Sequence, residues 1–128
     1  MNKTILVTGI ILGLLAVIIG AFAAHGLKKV LGPDEINTFE TGVKYQMYHA
    51  LFLMILSLIP VITNGAKMTV YYTVLVGVIL FSGSIYLLAT NVLTNFDFKK
   101  IGFITPIGGL FLIFGWAYLA YVVLSKKL

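Results

Sequence analysis

Four largely apolar runs dominate the chain, at 4–24, 43–62, 69–90 and 101–124, and short polar patches separate them. An α-helix rises about 1.5 Å per residue, so roughly 20 residues cover the ~30 Å hydrocarbon core of a bilayer. Each run is long enough to cross. In lipid the backbone has no water to bond, and a run that crosses alone must satisfy its own N–H and C=O groups as a helix. The pattern therefore predicts an all-α membrane protein, with four transmembrane helices forming one domain over residues 1–128. An even number of spans puts both ends on the same side.

The longest connection, 25–42, carries a pattern of its own. Gly32-Pro33-Asp34-Glu35 reads as a break followed by a helix start. Proline suits a first turn whose N–H has no partner anyway, and acids suit the positive end of the helix dipole. Ile36, Phe39 and Val43 then recur at helical spacing, predicting a short amphipathic helix along the interface that turns into the second span near Gly42. His25 before Gly26 reads as the end of the first span, with a left-handed glycine cap. Pro106 kinks or starts the fourth span. Tyr45, Tyr48, Tyr71, Tyr72, Trp116, Tyr118 and Tyr121 are read as headgroup-level anchors, where an amphipathic ring is at home.

Helices pack closely in lipid where small residues let backbones approach. Gly9 and Gly13 form a GxxxG pair in the first run, and Gly20 continues the small-residue spacing; Gly83 lies in the third, and Gly108, Gly109 and Gly115 in the fourth. These glycines predict helix interfaces, within the bundle or between subunits of a homo-oligomer.

Composition supports the membrane reading: 60% of residues are hydrophobic and 10% charged, with a mean hydropathy of +1.06, too little polar surface to cover a soluble domain. The net charge of +5 comes from nine lysines against four acids. Lys3, Lys28, Lys29, Lys67, Lys99, Lys100, Lys126 and Lys127 lie near the ends of the runs, where they can reach anionic headgroups while their stems stay apolar. Membrane lipids rather than nucleic acid are the expected partner. The first run imitates a signal peptide, but it is longer than a signal core and further spans follow, so it is expected to stay as a span. Lysine counts on the two sides nearly cancel; a cell-membrane location with cytoplasmic termini is expected.

Cysteine is absent, which removes thiolate metal sites, thiol nucleophiles and covalently attached haem. Polar residues near membrane depth are the default functional candidates. Here they are His25, Gln46, His49, Ser82, Ser84 and Thr105, with Tyr45 on the same turn and Glu40 further out. His25 and His49 are expected to face each other at one membrane edge. Three readings compete for that edge: a haem, quinone or metal site, a polar site of a small carrier or channel, or hydrogen-bond glue between helices. Glue is the simplest, since no local HxxxH or HxxE spacing fixes ligands, and neither a metal nor another cofactor is expected. Ser82-Gly83-Ser84 lacks the flanks of a nucleophile elbow, and no activated nucleophile or carboxylate pair stands at a recognisable spacing, so an enzyme is not expected.

Several segments carry a resemblance: Gly20-Ala-Phe-Ala-Ala-His-Gly-Leu27, Tyr45-Gln-Met-Tyr-His-Ala-Leu51, Phe81-Ser-Gly-Ser-Ile-Tyr86, Thr105-Pro-Ile-Gly-Gly109 and Gly115-Trp116. Together they resemble the small four-helix membrane proteins catalogued as domain of unknown function 423, the transmembrane protein 256-like family. The first segment departs from the family pattern at Ala23, where a second glycine is usual. The resemblance implies a bacterial inner-membrane type of protein and assigns no role to any residue. The expected function is that of a non-enzymatic, lipid-interacting or accessory membrane component, with the carrier and the haem, quinone or metal binder as alternatives.

Overall fold

Each apolar run forms a helix in the computed structural model, which describes residues 1–126; Lys127, counted above among the headgroup lysines, lies outside the described residues. The helices are α1 (Lys3–His25), α2 (Pro33–Leu58), α3 (Asn64–Ala89) and α4 (Ile104–Leu124), with short 3-10 turns in the connections. Local chemistry sets their ends. The Asn2 side chain accepts from Ile5 N–H to start α1, and Thr63 does the same for Ala66 to start α3, each satisfying a first-turn donor. Pro33 opens α2 with Asp34 and Glu35 in its first turn. Ile59, held extended before Pro60, closes it. Pro106 sits in the first turn of α4 and starts that helix instead of kinking it.

Three segments are long and apolar enough to cross a membrane: Lys3–Lys29, Asn64–Ala89 and Phe98–Leu124, with mean hydropathies of 2.8, 2.0 and 2.1. The second helix is not among them: acids Asp34, Glu35 and Glu40 occupy its start, and its more apolar part still carries Lys44, Gln46 and His49. The separate amphipathic helix is also corrected. Residues 33–58 form one unbroken helix that passes through Gly42 without a turn. Gly42 is small for another reason: a Cβ there would lie 2.7 Å from the Tyr86 ring and 3.0 Å from Ile85. The Ile36 and Phe39 face buries against Ala23, Leu27, Leu31 and Ala89, not against an interface. Ala23 is fully buried there. Gly26 is right-handed (φ −72°, ψ −47°), not a left-handed cap, since the chain runs straight into the next 3-10 turn.

Successive helices pack antiparallel, α1 on α2, α2 on α3 and α3 on α4, so Asn2 meets Ser57 and Asn64 at one end of the bundle. The outer helices bury narrow stripes: Ile5, Gly9, Ala16 and Ala23 on α1, and Gly108, Leu112 and Gly115 on α4. Their other faces are apolar and exposed, as lipid-facing helices require.

The glycines divide into two groups. A Cβ on Gly9 would lie 2.7 Å from the Ala50 carbonyl, one on Gly115 2.5 Å from Val74, and one on Gly20 3.2 Å from Val43. Gly108 is tighter still, since its Cβ would strike the backbone of Leu80 and Phe81. Gly13 and Gly109 leave ordinary contact distances of 3.7 and 3.6 Å, and Gly83 has nothing within 4 Å. The expectation that Gly83 packs a helix interface is therefore corrected within this chain.

Lys67 corrects the headgroup reading of the lysines. It is 5% exposed, and its Nζ donates to the Ser57 carbonyl at 3.0 Å, placing a cation on the negative end of α2. Lys3, Lys28, Lys29, Lys99, Lys100 and Lys126 remain exposed.

Candidate functional site

The polar residues named from sequence do not form one cluster; they form a series of bonds between helices. Gln46, buried on α2, donates from Nε2 to the Leu12 carbonyl of α1 at 2.9 Å and accepts from the Tyr86 hydroxyl of α3 at 2.6 Å. One side chain thus ties three helices. Ser82 Oγ donates to the Gly42 carbonyl at 2.7 Å, joining α3 to α2. Two residues on, the Ser84 hydroxyl bonds that of Thr105, joining α3 to α4.

His49 faces α4. Its Nδ1 lies 2.7 Å from the Tyr45 carbonyl, and Trp116 Nε1–H donates to its Nε2 at 3.1 Å. This pattern puts the imidazole proton on Nδ1 and commits the Nε2 lone pair to the indole. Both nitrogens are occupied, as suits glue between helices. Trp116 is 12 residues beyond the first residue of α4, near the middle of that helix, not at a headgroup-level end. His49 supplies the acceptor that the indole N–H needs. Tyr71 is likewise no anchor: it is buried and shares a hydrogen bond of 3.0 Å with Thr8.

His25 and His49 are not brought together. Gly9 packs beside Ala50, so His49 lies near the level of Gly9 on α1. His25, 16 residues further along, is roughly 24 Å away along the helix axis. His25 is exposed at the end of α1. Two histidines so placed cannot ligate one haem iron, and the edge that a carrier site required is not assembled. Glu40 is also apart. It lines a depression with Lys28, Leu31, Pro33 and Ile36, nine residues, or roughly 13 Å, from His49 along α2. Among the described residues no group of three or more His, Asp or Glu is placed to hold a metal.

The structure adds a groove that the sequence did not reveal. Tyr45 and His49 of α2, Phe81 of α3, and Gly109, Leu112 and Trp116 of α4 line an open concavity of about 650 Å3. The Tyr45 ring packs on Phe81 at 4.9 Å and stacks on His49 at 6.3 Å. Gly109 matters here because a larger side chain would fill the space in front of Phe81. Lining residues from three helices, with Tyr45 and Trp116 71 positions apart, leave no local signature. The one available signal was the need of a mid-helix indole for an acceptor.

Replacing His49 with phenylalanine is expected to keep the aromatic packing and leave the Trp116 N–H without a partner. The expected loss is about 1–2 kcal/mol, within the range for buried donors and for hydrogen bonds between membrane helices. Trp116 is the single tryptophan, so its emission should shift to shorter wavelength as the hydrogen bond is lost. An unchanged spectrum would contradict the bond.

Comparison with known proteins places these elements in a wider group. A family model described as "Protein of unknown function (DUF423)" matches residues 19–109. A UPF0382 membrane protein of Staphylococcus saprophyticus is 37% identical over 117 residues, covering 91% of this chain and 93% of its own. One from Bacillus subtilis is 36% identical, covering 89% of this chain and 90% of its own. A third, named as a UPF0382 inner membrane protein of Escherichia coli, is 34% identical, covering 98% and 93%. No solved structure matches the chain.

Proposed function

Because the chain belongs to the membrane-protein family of unknown function DUF423, whose name assigns no activity, we propose a function from its geometry: a non-enzymatic, multi-pass component of the cell membrane that holds a lipid chain in its lateral groove. On this reading α2 is the fourth span. Its 26 residues reach roughly 39 Å, and its polar Gln46 and His49 are buried and bonded to α1, α3 and α4.

The observation that carries the proposal is the aromatic groove between α2, α3 and α4, which opens sideways where a bundle in a membrane meets acyl chains. The helix-bridging roles of His49, Ser82 and Ser84 favour the non-enzymatic reading, because each is bonded to a neighbouring helix and none is poised beside an activating partner. Self-association is part of the proposal only through the lipid-facing surfaces, since Gly9, Gly108 and Gly115 are occupied inside the bundle.

Native mass spectrometry of gently extracted protein tests the lipid reading, with wild type beside Gly109→Leu. A side chain at 109 meets Phe81 at ordinary contact distance, so the helix tolerates the first carbon and the rest occupies the groove. Wild type is expected to retain phospholipid that the variant loses. Wild type emerging bare, or equal retention by both, would overturn the proposal. Subunit number is read from the same spectra.

A further inference from the structure

The edge at which α1 gives way to α2 carries balanced charge. Between residues 25 and 44, Lys28, Lys29 and Lys44 stand against Asp34, Glu35 and Glu40. The stretch is neutral and does not gather anions, although the chain as a whole carries +5. Two of these opposite charges meet at one depression. Lys28, from the 3-10 turn after α1, and Glu40, from α2, line an open concavity of about 460 Å3 with Asn37 and an apolar floor of Leu31, Pro33 and Ile36. Leu31 and Ile36 are buried. Lys28 is exposed, Glu40 is half-exposed, and among the described residues neither is in a salt bridge.

The register of the two helices sets the depth of this depression. A Cβ on Gly20 would lie 3.2 Å from Val43, so those residues are level. From there α1 runs outward to His25, and α2 runs outward to Pro33. Glu40, three residues out from Val43, stands roughly 5 Å beyond that level, beside the end of the first apolar run at 24. Hydrocarbon gives way to headgroups at that depth.

We propose that this depression binds the headgroup of a zwitterionic phospholipid with a primary amine, of the phosphatidylethanolamine class. The lipid phosphate accepts from the Lys28 ammonium, and the lipid ammonium donates to the Glu40 carboxylate. Asn37, one turn before Glu40, presents an amide that suits either group. The floor of Leu31, Pro33 and Ile36 meets the carbons between those two charges. A headgroup with a phosphate and no amine satisfies Lys28 and leaves Glu40 facing a like charge. A trimethylated headgroup keeps the positive charge but has no N–H to donate. The pair of side chains therefore ranks lipids by their amine. This site is separate from the aromatic groove and stands whether or not that groove holds a lipid.

The test titrates detergent-solubilised protein with phosphatidylethanolamine, phosphatidylcholine and phosphatidylglycerol of matched chains and counts bound lipid by native mass spectrometry. Gly109→Leu protein runs beside wild type, which separates the edge from the groove: with both sites filled, wild type carries one lipid more. At the edge, phosphatidylethanolamine is expected to bind about fivefold tighter than either of the others. Glu40→Gln should abolish its preference over phosphatidylglycerol, and Lys28→Gln should weaken all three lipids. Neither side chain is buried, so both variants keep the fold. Free phosphoethanolamine at the lipid's own concentration carries the same two charges without chains and should leave the lipid bound. Displacement by it would assign the depression to a soluble zwitterion and overturn the membrane source. Equal binding of the three lipids by wild type, or a preference unchanged in Glu40→Gln, would overturn the site. The lipid count of Gly109→Leu against wild type decides the groove separately.

Discussion

Gly108→Ala is expected to destabilise the bundle by about 2 kcal/mol, although alanine is the better helix former by about 1 kcal/mol. The new methyl would meet the backbone of Leu80 and Phe81, and backbone cannot swing aside as a side chain end can. Either α3 and α4 separate along their whole interface, which also carries Gly77 against Leu112 and Gly115 against Val74, or the local helix distorts. Gly83→Ala is the matched control. It adds the same methyl on α3 where nothing lies within 4 Å, so it should be neutral or stabilise slightly. Unfolding in mixed micelles of increasing sodium dodecyl sulfate content, followed by circular dichroism, ranks the pair. Equal midpoints would mean that α3 and α4 do not meet at Gly108.

The second large effect is expected at Gln46. Replacement by leucine keeps the volume but removes the bond to the Leu12 carbonyl and leaves the Tyr86 hydroxyl without its acceptor. A buried donor left alone costs about 1–3 kcal/mol, and the upper half of that range fits a residue linking three helices. Tyr86→Phe should cost less, since it removes the donor together with the bond. The double variant should be less destabilised than the sum of the two, with a coupling of about 1 kcal/mol. Strict additivity in the same unfolding assay would remove the Gln46–Tyr86 bond from the account.

The contrast between these residues shows which parts of the molecule its sequence could announce. Helix existence depends on local hydropathy, and α1 and α4 differ from their apolar runs by a few residues at most, with the largest shift at the start of α4. The resemblance was legible for the same reason, because its motifs are contiguous. Glycine spacing, by contrast, is a property of one helix, while packing is a property of two. Gly83 and Gly108 look alike along the chain, and only the position of α4 separates them. Of the candidate polar residues, Gln46, His49, Ser82, Ser84 and Thr105 bond neighbouring helices, while His25 and Glu40 stand apart from them. His49 is bonded to Trp116, 67 positions away, and Gln46 to Tyr86, 40 away. Charge misleads at Lys67, whose place near a span boundary suggests a surface cation. The turn expected at Gly42 comes with the apolar spacing of Ile36, Phe39 and Val43, and close packing on Tyr86 replaces it.

The charged first half of α2 also bears on how the chain is made. A helix carrying Asp34, Glu35, Glu40 and Lys44 partitions poorly into lipid as it leaves the ribosome, whereas α1, at a mean hydropathy of 2.8, enters readily. On the four-span reading, α2 is then recruited by an α1 already in place, through the Gln46 bond to Leu12 and the close fit at Gly9. On that reading the unit of membrane insertion would be the α1–α2 hairpin, and a packing defect between those two helices would become a defect of topology before one of stability.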